Sequence, residues 1–327
     1  LKIGSIDLGT NPVVLAPMED VTDQAFRLMC RKFGSALVYT EFVSADAIVR
    51  SIRSTLSKMT VSDEERPVAI QIYGKEPEVM AEAAQITEAA GPDIIDINFG
   101  CPVKRVAGKG AGAGLLLDVP RMLAITRAVT DAVQLPVTVK TRLGWDADHI
   151  IIEELAEQLQ DAGAQALTIH GRTRKQMYKG SADWAPIARV KANPRLHIPI
   201  IANGDITDGD TALRCYEQTH ADAIMIGRGA IGRPWVFEEV SAVLQGKEPP
   251  RHDHEWYLDV LKQQVDDSIA RSGEQRGIWH IRRHLAATPL LKGIPDFRQQ
   301  RVAILRAETR EELFELLDSV PPTSEKV

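Results

Sequence analysis

The chain has 327 residues, 44% hydrophobic and 26% charged, with a formal net charge of −6. That balance describes a globular protein able to bury one large domain plus a smaller one, and the acidic total excludes indiscriminate nucleic-acid binding while leaving room for a local basic face. No apolar run is long enough to span a bilayer and the first residues lack a signal-peptide pattern. Cys30, Cys101 and Cys215 form no CxxC pair, so neither a disulfide framework nor a zinc ribbon is indicated; a reduced, cytoplasmic protein without membrane or metal is expected.

Short apolar runs alternate with longer amphipathic ones, and the alternation repeats eight times. A strand over 13–16 precedes a helix over 22–33, and strands over 37–40 and 68–72 precede a helix over 76–90. Strand 94–97 is followed by helix 119–133, strand 137–140 by helix 150–162, strand 166–169 by helix 183–192, strand 198–202 by helix 208–219, and strand 223–226 closes the series. Asp20 or Thr22, Asp118, Ser181 and Thr207 are expected to start helices, and Gly34, Gly91 and Gly163 to stop them.

Such a series predicts a closed (β/α)8 barrel, a TIM barrel, over residues 1–245, with an open doubly wound sheet as the competitor. Nearly every strand leads into a polar or soft side chain, giving Met18, Gln71, Asn98, Lys140, His170, Asn203 and Arg228. In a barrel these converge on one mouth. Residues 246–250 read as a linker and 251–327 as an all-helical C-terminal domain.

Several motifs carry chemistry. Cys101 ends the run Asp96-Ile-Asn98-Phe-Gly100-Cys101-Pro102, where a strand gives way to a glycine-rich loop, so it is a candidate acid or nucleophile against the plainer reading of a buried apolar thiol. Gly227-Arg-Gly229-Ala-Ile-Gly232 matches GxGxxG, yet no strand follows it, which argues against a Rossmann site. With Asn203-Gly204-Asp205 it forms instead the loop pair after strands seven and eight, where barrels bind phosphate. The 108–114 run lacks Ser or Thr after Lys109 and reads as a mobile loop rather than a P-loop. His280 and His284 have metal-ligand spacing, but Arg282 and Arg283 between them argue against a cation. The stretch from Arg276 to Arg306 is strongly basic and offers a phosphate-binding face; Trp279 and Phe297 within it are read as core.

Taken together, Ala16-Pro-Met18, Gln71-Ile-Tyr-Gly74, the Cys101 run, Val139-Lys140, Thr168-Ile-His-Gly-Arg-Thr173, Ile201-Ala-Asn-Gly-Asp-Ile206 and Met225-Ile-Gly-Arg228 resemble the tRNA-dihydrouridine synthase family, most closely its bacterial B-type branch. The resemblance implies reduction of uridine in tRNA to 5,6-dihydrouridine by FMN, which NADPH reloads transiently. It implies that Pro17, Met18, Gln71, Lys140, Asn203, Gly204, Asp205, Gly227 and Arg228 hold FMN and that Cys101 is catalytic. Hydride would pass from flavin N5 to uracil C6, and Cys101 would protonate C5. Lys140 would face the flavin N1–C2=O edge, Gln71 its pyrimidine edge and Asn98 the uracil, with His170 and Arg172 touching flavin or substrate. Arg282 and Arg283 would help the C-terminal domain grip tRNA while the target base is extruded. The alternative is another FMN barrel acting on a small pyrimidine, of the dihydroorotate dehydrogenase kind.

Overall fold

The computed structural model describes residues 1–322 apart from 293 and 295. The last five positions of the expected 251–327 domain therefore lie outside the described residues.

A short hairpin, β1 (Lys2–Ile3) and β2 (Ile6–Asp7), precedes the barrel. The barrel strands are β3 (Val13–Leu15), β4 (Val38–Tyr39), β6 (Val68–Tyr73), β7 (Ile94–Asn98), β8 (Val137–Arg142), β9 (Leu167–His170), β10 (Ile200–Asn203) and β11 (Ala223–Ile226), with β5 (Val43–Ser44) as a short addition on β6. All neighbours in the order β3-β11-β10-β9-β8-β7-β6-β4 are parallel. The ring closes between β3 and β4, where Leu15 N donates to Leu37 O (3.0 Å) and Ala36 N to Val13 O (2.8 Å).

Period-two alternation explains both walls of this ring. Val13, Leu15, Val68, Ile70, Ile95, Ile97, Val137, Val139, Leu167 and Ile169 point outward into the core shared with the helices. Their neighbours Val14, Leu37, Tyr39, Ala69, Ile94, Ala166, Ile201 and Ala223 fill the barrel interior, where Ile3 and Leu8 of the hairpin segment join them. Toward the strand ends the inward positions turn polar: Ala69 gives way to Gln71, Ile94 to Asp96 and Asn98, and Ala166 to Thr168 and His170. The fold therefore delivers polar side chains to one end only.

The outer helices are α1 (Gln24–Lys32), α2 (Ala45–Val49), α3 (Arg53–Ser57), α4 (Pro77–Ala89), α5 (Lys104–Ala107), α6 (Val119–Ala132), α7 (Ile152–Asp161), α8 (Ala185–Lys191), α9 (Gly209–Thr219) and α10 (Val236–Leu244). Asp118 caps α6 as expected, accepting from Arg121 N. The other starters differ: Asp23 caps α1 and Asp208 caps α9, each one residue past the expected Thr22 and Thr207, while Ser181 lies in an irregular segment and α8 begins after Trp184.

Four helices follow, α11 (His254–Ser272), α12 (Glu274–Ala287), α13 (Phe297–Arg306) and α14 (Arg310–Asp318). They have an apolar cluster of their own around Ile281, Leu285, Ile304 and Leu313. Tyr257, Leu258, Val260, Leu261 and Leu290 nevertheless belong to the main barrel core. Two joints fix the attachment. The Phe26 and His284 rings lie 4.5 Å apart, and Gly232 N donates to His284 Nδ1 (3.2 Å). Nearby, His280 Nε2 sits 3.1 Å from Asp23 Oδ2. The two histidines at metal-ligand spacing thus pin α12 to the barrel. A Cβ at Gly232 would stand 2.2 Å from His284 O, so only glycine lets the two backbones meet there. No described helix is long and apolar enough to cross a membrane.

Candidate functional site

A cavity of about 620 Å³ opens at the C-terminal ends of the strands. Its volume suits a ring-bearing ligand of cofactor size. Pro17, Met18, Gln71, Asn98, Cys101, Lys140, His170, Asn203, Gly204, Asp205, Gly227 and Arg228 all line it. Sequence positions spanning more than 200 residues therefore meet in one hollow.

One wall is a hydrogen-bonded chain across three strands. Thr138 Oγ1 (2.5 Å) and Gln71 Nε2 (2.6 Å) donate to the Asp96 carboxylate, Asn98 Nδ2 donates to Gln71 Oε1 (2.8 Å), and the backbone N–H groups of Gly100 (3.0 Å) and Cys101 (2.9 Å) donate to Asn98 Oδ1. The side-chain oxygens of Gln71 and Asn98 are thus engaged in the wall, leaving one N–H of each amide for a ligand. Burial pushes the Asp96 carboxyl up to about 6, against the pull of Thr138, Gln71 and Lys140.

Cys101 is 9% exposed and packs beside Val106 and Ala111, with Phe42, Tyr73 and Val103 around them. Burial raises its thiol from the ordinary value, while a Val103 backbone hydrogen bond, Arg142 and Arg105 pull the other way. The net effect keeps the proton on sulfur at neutral pH.

A cationic stretch adjoins this wall, beginning at Lys140, which pairs in register with Asn98 on the neighbouring strand. Lys140 Nζ donates to Asn203 Oδ1 (3.2 Å), whose Nδ2 donates to Met225 O (2.8 Å). Lys140 is half-buried where it lines the cavity, and desolvation, then the Arg142 guanidinium, bring it down to about 8. His170 is pushed well below its usual value by burial, then by Arg142, Lys140, Arg172 and Arg228, so its ring is neutral. Arg228 stays half open to solvent, with its guanidinium 4.9 Å from the Tyr178 ring centroid. Beside it, Gly227 also lines the cavity, and an added Cβ there would rest in ordinary contact with Ala16 Cβ (3.5 Å) and Met18 Sδ (3.7 Å).

Some placements differ from expectation. Arg172 does not line the cavity. It is 2% exposed and donates to both Asp205 oxygens (2.8 and 2.7 Å), Gly180 O (2.6 Å) and Lys179 O (3.2 Å), which ties the segment around 178–182 behind the site. Asp205 is correspondingly occupied: burial raises its carboxyl, but hydrogen bonds from Arg172 and Ala182 N bring it below the carboxylate range. Arg282 and Arg283 lie away from the cavity on α12, and Arg282 donates to Ala307 O (3.1 Å). Within the 108–114 run, residues 108–110 form a turn and Gly112–Leu117 a 3-10 helix. A Cβ on Gly114 would sit 2.4 Å from Ala107 O, which explains the glycine as close packing. Trp279, expected in the core, is 55% exposed, whereas Phe297 packs against the C-terminal cluster.

Arg142 joins the site although no motif in the sequence singles it out. It lines the cavity, donates to Gly100 O (2.7 Å), Thr173 O (3.1 Å) and Met177 O (2.8 Å), and is lowered to about 10 chiefly by burial. The signal that could have found it is its place two residues beyond Lys140, which puts both on the same face of β8.

A closed parallel barrel whose strand ends gather a neutral thiol, a half-buried lysine and three further cationic or imidazole groups around one cavity defines a (β/α)8 protein with a site suited to a ring-bearing cofactor. The dihydrouridine synthase (Dus) family model matches residues 14–321, and the chain belongs to that family. It is 40% identical over 331 residues to tRNA-dihydrouridine synthase B of Xanthomonas axonopodis pv. citri, covering 98% of each chain. It is 40% identical over 325 residues to the probable tRNA-dihydrouridine synthase 1 of Synechocystis sp., covering 99% of this chain and 90% of that one. Among solved structures it is similar in fold to morphinone reductase in complex with tetrahydroNAD (TM-score 0.52, 14% identity, 79% of this chain and 92% of that one). A similar likeness links it to histamine dehydrogenase from Rhizobium sp. 4-9 (TM-score 0.58, 11% identity), which it covers over 88% of its own length and 50% of that chain.

Proposed function

We propose that this protein reduces uridine in tRNA to 5,6-dihydrouridine at the barrel mouth, using FMN and, as transient reductant, NADPH. The observation that carries the reading is one cavity lined both by a protonated Cys101 and by the Lys140–Asn203 pair.

The residues fit FMN. Met18, Ala16 and Met225 offer an apolar surface to a flat ring, Gln71 a free amide N–H to its polar edge, and the backbone at Gly227 with Arg228 a seat for phosphate. Lys140, half-buried, would supply positive charge to an anionic ring edge in a setting partly shielded from water. Gly204, Asp205 and Pro17 border the same hollow; the Asp205 side chain acts there through its pairing with Arg172. Bound and reduced, the flavin supplies hydride to uracil C6.

The chain's own part is to place and protonate the uracil. Asn98 holds its oxygen on the Gly100 and Cys101 N–H groups, fixing the loop that carries the thiol and leaving its amide N–H for a uracil carbonyl. Arg142 faces the same space with its charge largely shielded from water and steadies negative charge developing on that carbonyl. Cys101 Sγ gives its proton to C5, and the raised thiol keeps that proton available. Neutral His170 serves as a hydrogen-bonding wall rather than a charge. The target base enters extruded from the RNA. The helical region holds the tRNA body through surface cations, exposed Arg276 and half-buried Arg283 among them, and three buried free thiols suit a reducing cytoplasm.

The test is anaerobic single-turnover oxidation of the NADPH-reduced protein, followed at the flavin absorbance with and without unmodified tRNA, with dihydrouridine then assayed in the RNA. Oxidation that requires tRNA and yields dihydrouridine is expected. Oxidation by a free pyrimidine but not by tRNA would overturn the assignment in favour of a small substrate.

A further inference from the structure

A second hollow, about 430 Å³, lies beside the ring cavity and is lined by Ser44, Asp46, Tyr73, Lys75, Arg105 and Lys109. Arg105 belongs to both walls, so the two sites abut. Three cations face one acid here, in a chain whose net charge is −6.

Those cations are weakly committed. Lys75 Nζ is 3.9 Å from Glu76 and Arg105 Nη2 is 3.8 Å from Glu19, both beyond direct hydrogen-bond reach. Among the described residues Lys109 has no ion-pair partner. The Ser44 hydroxyl and the Tyr73 phenol line the same hollow, and burial raises the phenol above its ordinary value. Loose cations grouped with neutral hydroxyls are the donor set that a phosphate's spread charge and several acceptor oxygens call for. Arg105 and Lys109 sit on the segment that begins at Cys101, so a group bound here touches the loop carrying the thiol.

We infer that this groove is a phosphodiester-binding subsite, which holds the RNA backbone next to the nucleotide whose base occupies the ring cavity. The inference rests on the RNA-modifying function proposed above. A base inserted beside Cys101 leaves its sugar-phosphate at the mouth, and the adjoining cations are the ones at Arg105, Lys75 and Lys109.

The test compares wild type with the double variant Lys75→Ala, Lys109→Ala in the full chain loaded with FMN. tRNA affinity is measured across salt concentrations, and flavin reduction is measured with NADPH and with NADH. The expected result is a plot of log affinity against log salt shallower by roughly 0.7 to 0.9 for each lysine removed. KM for tRNA should rise with kcat and both reductions unchanged, and Lys75→Arg, Lys109→Arg should restore the slope. An unaltered slope in the alanine variant would overturn the subsite. So would a loss confined to reduction by NADPH and absent with NADH, because the groove would then serve the nicotinamide's extra phosphate. Failure of wild type itself to bind tRNA is a separate outcome, which removes the functional reading and the subsite with it.

Discussion

The barrel mouth and the C-terminal helices use the same cationic side chains in opposite ways. Around the mouth Arg142 and Arg172 are buried and Lys140 is half-buried; all three are fixed by named acceptors, and desolvation shifts Lys140 and Arg142 downward. On α12 and α13, Arg276, Arg298 and Arg306 stand in water. Charge in the first setting is costly to strand and specific in direction. Charge in the second is screened and tolerant of position, which suits holding an RNA backbone rather than acting on a base.

The sharpest contrast should come from Cys101→Ala: turnover falls by about 10² to 10⁴, the range of a lost general acid, while FMN content is unchanged. Undiminished dihydrouridine formation would remove the thiol from the chemistry. Next, Phe26→Ala empties the space against His284 and should cost about 3–5 kcal/mol. Denaturation followed by far-ultraviolet circular dichroism and by tryptophan fluorescence should stay coincident, because the helices share the barrel's core. Two separated transitions would mean that the regions fold independently, and the comparison would lose its structural basis.

A smaller effect concerns pH. Burial lowers His284 from 6.5 to about 3, so the unfolded chain binds a proton near pH 6.5 that the folded chain refuses until near 3. Stability therefore is fully present above pH 6.5 and declines as pH falls toward 3. His284→Gln should flatten that decline in melting temperature while leaving the share due to His170, which is shifted the same way. An unchanged slope would mean His284 is not the buried neutral base at the joint. The smallest effect is expected from Arg276→Ala with Arg283→Ala, which should make the salt dependence of tRNA affinity shallower by roughly 0.7 to 0.9 for each arginine that neutralises a phosphate, and leave flavin reduction alone. Identical binding would assign RNA recognition to the mouth by itself.

The barrel is legible in the sequence because its signals are periodic. Apolar alternation along Val68–Tyr73 or Ile94–Asn98 marks a strand, and the residue after the last apolar position marks the mouth. That pattern reaches Gln71, Asn98, Lys140 and Asn203, all of which meet in the cavity. It misplaces Arg172, whose partner Asp205 is 33 residues away, because no local pattern reports such a pairing. The spacing of His280 and His284 resembles a metal site for the same reason: Asp23 and Gly232, which use those rings, come from distant segments. Trp279 escapes the pattern differently, since a tryptophan is usually covered whereas helix phase turns this one to solvent.

Gly232 permits α12 to rest directly on the barrel backbone, with Phe26 and Asp23 closing the seam on the other side. If the outer arginines hold RNA as proposed, that seam would act as a ruler: the span from grip to cavity would be set by the protein, and only a nucleotide lying at that fixed reach would be read.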